Sequence, residues 1–141
     1  MYAYQEVDPN PLEPTPVPQT LGQAMESFAN AMMTTQDFQS MFLASTVYCP
    51  RGDQPGFLAL HDTQPPMIPI FSSLAELRKY SGDKSRHFSG TGMEVLDLLP
   101  NGYGLILDIE GAHRVMFDPQ AIDDMVNFGM TMMYGHGGGG Y

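Results

Sequence analysis

The stretch from Met67 to Asp118 constrains the fold most, because local start and stop signals divide it into short segments. In order, these segments predict a strand, a helix, a second strand, a second helix and a hairpin. Ser73 and Thr91 each precede a glutamate by three residues, which is the capping-box pattern that satisfies free N–H groups at the start of a helix. The alternation of elements predicts an α+β or α/β domain.

The second helix of this stretch is predicted to end before Pro100, because a proline inside a helix costs about 3 kcal/mol. Its apolar residues recur at helical spacing at Val95, Leu98 and Leu99.

The most apolar strand of the stretch runs from Tyr103 to Ile109 and is apolar on nearly both faces. Such a pattern is typical of a strand in the middle of a sheet. Residues 67–71 are also a predicted strand, but Pro69 cannot donate a hydrogen bond to a neighbour. We expect that strand at an edge or at an interruption of the sheet.

Two predicted helices precede the stretch as a lead-in. Thr20 and Gln23 form a capping box ahead of apolar residues with helical spacing, which predicts a first helix over residues 21–33. Thr34 is placed to cap a second helix, with Asp37 in its first turn, where the helix dipole favours a carboxylate.

Short β-prone runs at residues 46–50 and 56–60 flank a turn-rich segment and predict an antiparallel pair. Near the end of the chain, Asp118 and Pro119 are predicted as the N-cap and first residue of a helix that ends near Met133. Together the segments predict a mixed sheet of five or six strands with flanking helices, the two-helix lead-in and a C-terminal helix.

The two ends of the chain differ in composition from its middle. Residues 1–19 contain five prolines and three acidic residues with little apolar mass, which predicts a disordered, proline-rich arm. Pro11 and Pro14 form a PxxP pattern, so a proline-motif ligand is the alternative to a plain linker. Residues 135–141 contain five glycines and predict a flexible tail. A single domain is expected over residues 20–134.

From Thr46 to about Met133 the chain resembles the N-terminal domain of the SseB family, proteins named for enhanced serine sensitivity. Three segments carry the resemblance: TVYCP, the strand and capped helix IPIFSSLAELRKY, and the hairpin NGYGLILDIEGAHRVMF followed by a helix. The family typically continues the last strand with an Asn-Pro-Gly turn, whereas residues 108–111 here share only the glycine. The resemblance implies the fold and no established molecular function.

The charge balance excludes several classes of partner. Sixteen acidic residues against six basic ones give a net charge of −10, which repels phosphate backbones and anionic lipid. Neither nucleic acid nor a membrane is expected as a partner. No apolar run approaches the ~20 residues that span a bilayer, and the N-terminus lacks the basic and apolar regions of a signal peptide. A cytoplasmic location is therefore expected.

No catalytic or metal-binding motif is evident, and no cofactor is predicted. Catalytic zinc needs three convergent ligands, and the histidines show no HxxxH spacing: they are His61, His87, His113 and His136. Cys49 is the only cysteine and is predicted to be a small buried apolar group. The alternative is a small enzyme whose fold assembles a site from Cys49, His61 and His113.

A non-enzymatic domain that binds another protein or a second copy of itself is favoured, because the sequence offers surfaces and no reactive constellation. The apolar arc of the C-terminal helix covers roughly 200°, whereas a core-facing stripe needs only ~100°. We expect Ile122, Val126 and Met133 to dock on the sheet. The candidate contact residues on the remainder of the arc are Met125, Phe128 and Met132. Coverage of this patch by the first two helices is the alternative.

A second candidate surface is basic. Four of the six basic residues lie within nine positions, at Arg78, Lys79, Lys84 and Arg86. The dipole at a solvated helix end accounts for Arg78 and Lys79, and the alternative hypothesis is that the four residues dock an acidic partner segment.

Overall fold

A computed structural model of the protein describes residues 18–51, 56–83 and 86–139, with side chains described as far as Thr131. The helices and strands of these residues form an α+β fold, as predicted. The helices are α1 (Leu21–Ala29), α2 (Thr35–Ala44), α3 (Leu74–Ser81), α4 (Gly92–Leu98) and α5 (Pro119–Gly139). The strands are β1 (Thr46–Pro50), β2 (Met67–Ile70), β3 (His87–Thr91), β4 (Gly104–Leu107) and β5 (Val115–Phe117).

The strands form a two-stranded and a three-stranded sheet that are joined at one point. Strand β1 pairs with β3 in antiparallel register, while β4 pairs with β2 in parallel and with β5 in antiparallel register. Tyr48 and Phe71 exchange two backbone hydrogen bonds, with N···O distances of 2.8 and 2.9 Å, and so connect β1 to β2. Across this junction the strand order is β3-β1-β2-β4-β5, with β4 in the buried position predicted for it.

The predicted pairing of residues 46–50 with residues 56–60 is wrong, because β1 pairs with β3. The two helices next to these strands decide the pairing. Helix α2 leads into β1 and α4 follows β3, and the N–H of Gly92 donates to the carbonyl of Ser45 at 3.0 Å. Contact between α2 and α4 therefore places β3 beside β1.

Residues 57–60 occupy the space where β1 and β2 separate beyond the Tyr48–Phe71 junction. Leu58 donates its N–H to the carbonyl of Pro50 at 3.4 Å, and Leu60 exchanges backbone hydrogen bonds of 2.7 and 3.1 Å with Met67. This segment is hydrogen-bonded to the end of one strand and to the start of the other, without forming a strand itself.

The predicted helix starts are confirmed, because each capping side chain forms its hydrogen bond. The caps are Thr20, Thr34, Ser73, Thr91 and Asp118, with acceptor distances between 2.8 and 3.2 Å. Helix α1 is shorter than the predicted range 21–33. Asn30 caps it after Ala29, and Ala31 has a φ of 59°, which takes the chain out of the helix.

The two lead-in helices are part of the main core. Phe28 of α1 stacks on Phe38 of α2 with ring centroids 4.7 Å apart. Phe38 and Phe42 in turn contact the ring of Phe117 on β5, at 6.3 and 5.1 Å. This chain of rings joins the helices to the face of the sheet that carries Leu105.

Helix α5 extends to Gly139, beyond the predicted end near Met133. Residues 135–139, which were predicted as a flexible tail, continue its backbone although glycine in a helix costs about 1 kcal/mol relative to alanine. No proline follows Pro119 to stop the helix earlier. Residues 1–17 of the predicted arm and residues 140–141 lie outside the described residues. None of the helices in the described part of the chain is long and apolar enough to cross a membrane.

Candidate functional site

Cys49 lies fully buried in the core, as predicted for a small apolar group. Burial raises the pKa of its thiol to about 12. Because the thiolate is the nucleophilic form, a thiol with this pKa is not a nucleophile near neutral pH. The alternative site of Cys49, His61 and His113 is therefore wrong. His61 is exposed and packs edge-on against Tyr103, with ring centroids 6.0 Å apart.

Among the side chains that the structure describes, in residues 18–51, 56–83 and 86–131, no three His, Cys, Asp or Glu groups lie together so that they could hold a metal ion.

The structure changes the surface predicted on α5. Met125 is fully buried, so it cannot belong to an exposed patch, and Phe128 is half-buried and packs against the core. Gly129 is the reason: a Cβ here would overlap the methyl group of Met93 and lie 3.4 Å from Leu43. Helix α5 docks against α2 and α4 beside Met125. Of the residues predicted to dock on the sheet, Ile122 is buried in the core and Val126 packs against it. The side chains of Met132 and Met133 lie outside the described residues.

The predicted basic surface is divided between two elements. Arg78 and Lys79 are exposed in the last turn of α3, and Lys79 Nζ forms an ion pair of 2.8 Å with Glu76. Arg86 is exposed just before β3, and Lys84 lies outside the described residues. Docking of an acidic segment here stays a prediction.

A pocket of about 430 Å³ lies at the carboxyl ends of the parallel strands β2 and β4, and we call it the polar pocket because Ser72, Glu76 and Asp108 line it. Asp108, only 5% exposed, accepts hydrogen bonds from the N–H and the hydroxyl of Ser72, at 2.8 and 2.6 Å. Burial raises the pKa of the Asp108 carboxyl, against the lowering effect of its hydrogen bonds to Ser72. Since each carboxylate oxygen accepts a hydrogen bond from Ser72, Asp108 links the end of β4 to the segment that begins α3.

Two further groups close this pocket. Glu76 Oε1 is buried and has no hydrogen-bond partner among the described residues, and a Cβ on Gly111 would lie 2.9 Å from it. This close approach of the backbone to Glu76 needs a glycine at position 111. Glycine is also the one residue that positions 108–111 share with the turn typical of the family. No role was predicted for Asp108, and its signal in the sequence is a single carboxylate at the end of an otherwise apolar strand.

An apolar groove of about 420 Å³ lies near the opposite, amino-terminal ends of β2 and β4. We call it the aromatic groove and define it by six residues: Phe57, His61, Phe88, Leu98, Pro100 and Tyr103. Its rings contact one another in pairs, with centroids 5.4 Å apart for Phe57 and Phe88 and 6.0 Å apart for His61 and Tyr103. The groove exists because residues 57–60 bridge the separated strands and bring Phe57 against Phe88.

Leu98 forms an exposed apolar wall of the aromatic groove. Its side chain is 65% exposed, whereas Val95 and Leu96 of the same helix are buried. Val95, Leu98 and Leu99 therefore share apolar spacing in the sequence but not one buried face. Helix α4 ends at Leu98, and Pro100 prevents another turn that would cover it.

The mixed sheet, its flanking helices and the two pockets define a small α+β domain. Residues 21–124 match the family model of the SseB protein N-terminal domain, and the chain belongs to this family. The matched region includes the lead-in helices α1 and α2, which lie outside the range of the resemblance seen in the sequence. Comparisons with curated proteins and with solved structures found no match.

Proposed function

We propose that this SseB-type domain is a non-enzymatic protein-binding module of the cytoplasm, and that the aromatic groove is its docking surface. The observation that carries the proposal is the 65% exposure of Leu98 beside half-buried aromatic rings in one apolar groove. Exposed apolar surface that is concentrated in one place is typical of interaction sites.

The groove has the composition of an interface centre. Aromatic residues are enriched where protein partners meet, and a few such side chains carry most of the binding free energy. Complete burial of one leucine side chain contributes roughly 1.5–3 kcal/mol, so Leu98 is an energetic reason for a partner to dock. Phe57, Phe88 and Tyr103 add partly exposed rings at its side.

The charge of the chain supports a protein partner. With a net charge of −10, association with nucleic acid or with anionic lipid would be opposed by repulsion. The basic residues remain proposed contacts for an acidic partner segment: Arg78, Lys79, Lys84 and Arg86. Phe128 and Met132 remain proposed contacts on α5, and Met125 does not.

Selection of displayed random peptides on the immobilised protein tests this proposal. We expect the wild type to enrich apolar peptides that bind it in solution, and Leu98→Glu to lose that binding while its circular dichroism is unchanged. Met32→Glu is the matched control, because Met32 is 58% exposed after α1, away from the groove. Met130→Glu, at a methionine that is 51% exposed on α5, tests the alternative surface.

The outcomes distinguish the aromatic groove from the exposed surface of α5. Peptides that bind wild type and Leu98→Glu equally, but fail to bind Met130→Glu, would place the interaction on α5 and overturn the assignment of the groove. A selection that enriches no peptide would contradict protein binding itself. Light scattering of the same proteins identifies a second copy as the partner if Leu98→Glu converts a dimer to a monomer.

A further inference from the structure

We infer that the aromatic groove binds the proline-rich arm of the chain itself, residues 1–17, so that the arm competes with a partner; this inference rests on the function proposed above. Proline-rich segments dock in aromatic-lined grooves because their extended helix is already formed and loses little entropy on binding. The groove offers the rings of Phe57, Phe88 and Tyr103, with Pro100 and Leu98 beside them.

The arm has the composition of such a ligand. Prolines recur at every second or third position, as Pro9, Pro11, Pro14, Pro16 and Pro18. Leu12 and Val17 lie between them and provide apolar side chains for a groove of this kind. The PxxP pattern noted in the sequence thus has an aromatic-lined site on the same chain.

The arm is long enough to reach the groove. It joins the described structure at Pro18, two residues before Thr20, and Thr20 lines the polar pocket next to Asp108. The groove begins at Tyr103, at the other end of β4, which corresponds to roughly 17 Å of extended strand. Seventeen residues in a polyproline helix span roughly 53 Å, so most of the arm remains for contact with the groove.

The charges of the arm and of the groove's end are complementary. The arm carries Glu6 and Asp8 before its first proline and Glu13 between Pro11 and Pro14, and it has no lysine or arginine. At the Phe88 end of the groove, two of the six basic residues of the chain lie together, since Arg51 donates its backbone N–H to the carbonyl of Arg86 at 3.0 Å. An acidic arm is repelled by most of this acidic protein and attracted to this end.

When the arm occupies the groove of its own chain, a partner binds with lower apparent affinity, although the partner's own contacts are unchanged. A short flexible tether gives an effective concentration on the order of 1 mM, so a weak site is partly filled by its own arm. If the arm fills the groove two thirds of the time, the partner's apparent affinity falls about threefold. The arm is therefore a built-in competitor whose removal from the groove raises affinity.

A nitroxide label on the full chain tests this directly. Thr15→Cys adds a reactive thiol to the arm, and Cys49 does not compete for the label because it is buried. We expect paramagnetic broadening concentrated on the NMR signals of Phe57, Phe88 and Tyr103, and its loss when Pro9, Pro11, Pro14 and Pro16 are changed to serine. Leu98→Glu should also abolish it, and the control Met32→Glu should keep it.

Two further measurements, on mixed chains and on peptide binding, distinguish the possible results. Mixing labelled chains with isotopically enriched, unlabelled ones shows whether the arm binds its own groove or that of a second copy, and broadening only in the mixture would overturn binding in cis. Broadening that is absent from the groove would overturn the inference. The function proposed above would still stand if selected peptides bound wild type and failed to bind Leu98→Glu. With a docked arm, the proline-to-serine variant binds these peptides about threefold more tightly than wild type.

Discussion

Replacement of Gly92 by alanine tests the contact between α2 and α4 that sets the strand order. Gly92 is the first residue of α4 and donates its N–H to Ser45. A Cβ at this position would overlap the carbonyl oxygen of Phe42 and lie 2.9 Å from its carbonyl carbon and 3.1 Å from the Cα of Leu43. These are backbone atoms of α2, so no side-chain rotation can relieve the overlap.

The expected loss of stability follows from three contributions. Overpacking costs about 1–3 kcal/mol, and the upper value applies because only separation of the two helices removes the overlap. That separation also weakens the hydrogen bond from Gly92 to Ser45, which contributes about 1 kcal/mol. Alanine in a helix recovers about 1 kcal/mol relative to glycine. We therefore expect Gly92→Ala to lower the free energy of unfolding by about 3 kcal/mol, and the melting temperature by about 10 °C.

Urea and thermal unfolding followed by circular dichroism measure this difference. Gly22→Ala is the matched control, because Gly22 lies in the first turn of α1 and a Cβ there would meet only Thr20 Oγ1, at 4.0 Å. The control should gain about 0.5–1 kcal/mol from the higher helix propensity of alanine. If Gly92→Ala is as stable as wild type, or gains as much as Gly22→Ala, the close approach of α2 and α4 is refuted.

Two ionisable groups give further predictions. Because burial raises the folded-state pKa of Asp108 above 3.8, the folded protein binds this proton more tightly than the unfolded chain does. The difference in unfolding free energy between wild type and Asp108→Asn should therefore shift in favour of wild type as the pH falls through the raised pKa, and level off below 3.8; urea titrations that give a constant difference would contradict this. Cys49, with its pKa raised to about 12, should react with a thiol reagent far more slowly in the native protein than in urea, and equal rates would show that it is accessible.

The helix starts were predictable because their causes are local. Each depends on a hydroxyl or carboxylate three residues before the N–H that it accepts, as at Thr34 and Thr91, and this spacing is visible in the sequence. The partner of β1 was not predictable in the same way. It depends on the contact of Gly92 with α2, across about fifty residues of chain, and the nearer β-prone run was the wrong choice.

The candidate site was harder to predict than the fold. The aromatic groove is assembled from residues that are far apart in sequence, including Phe57, Phe88 and Tyr103. On α5, the helical angles indicated an apolar arc wider than one core-facing stripe, but they did not show that Met125 is buried as well as Ile122. Gly129 decides this by admitting Met93, and it carries no apolar side chain that a periodicity analysis would detect.

The hydrogen bonds of residues 57–60 determine how rigidly Phe57 is held in the aromatic groove. Backbone hydrogen bonds tie this segment to the sheet through Leu58 and Leu60, and the bond from Leu58 is long, at 3.4 Å. Segments with few such ties open locally at a much lower free energy than global unfolding requires. Each opening withdraws Phe57 from the groove and leaves Leu98 in place on α4. We therefore expect the groove to open without unfolding of the domain, and a ligand to shift this equilibrium by the difference between its affinities for the two forms.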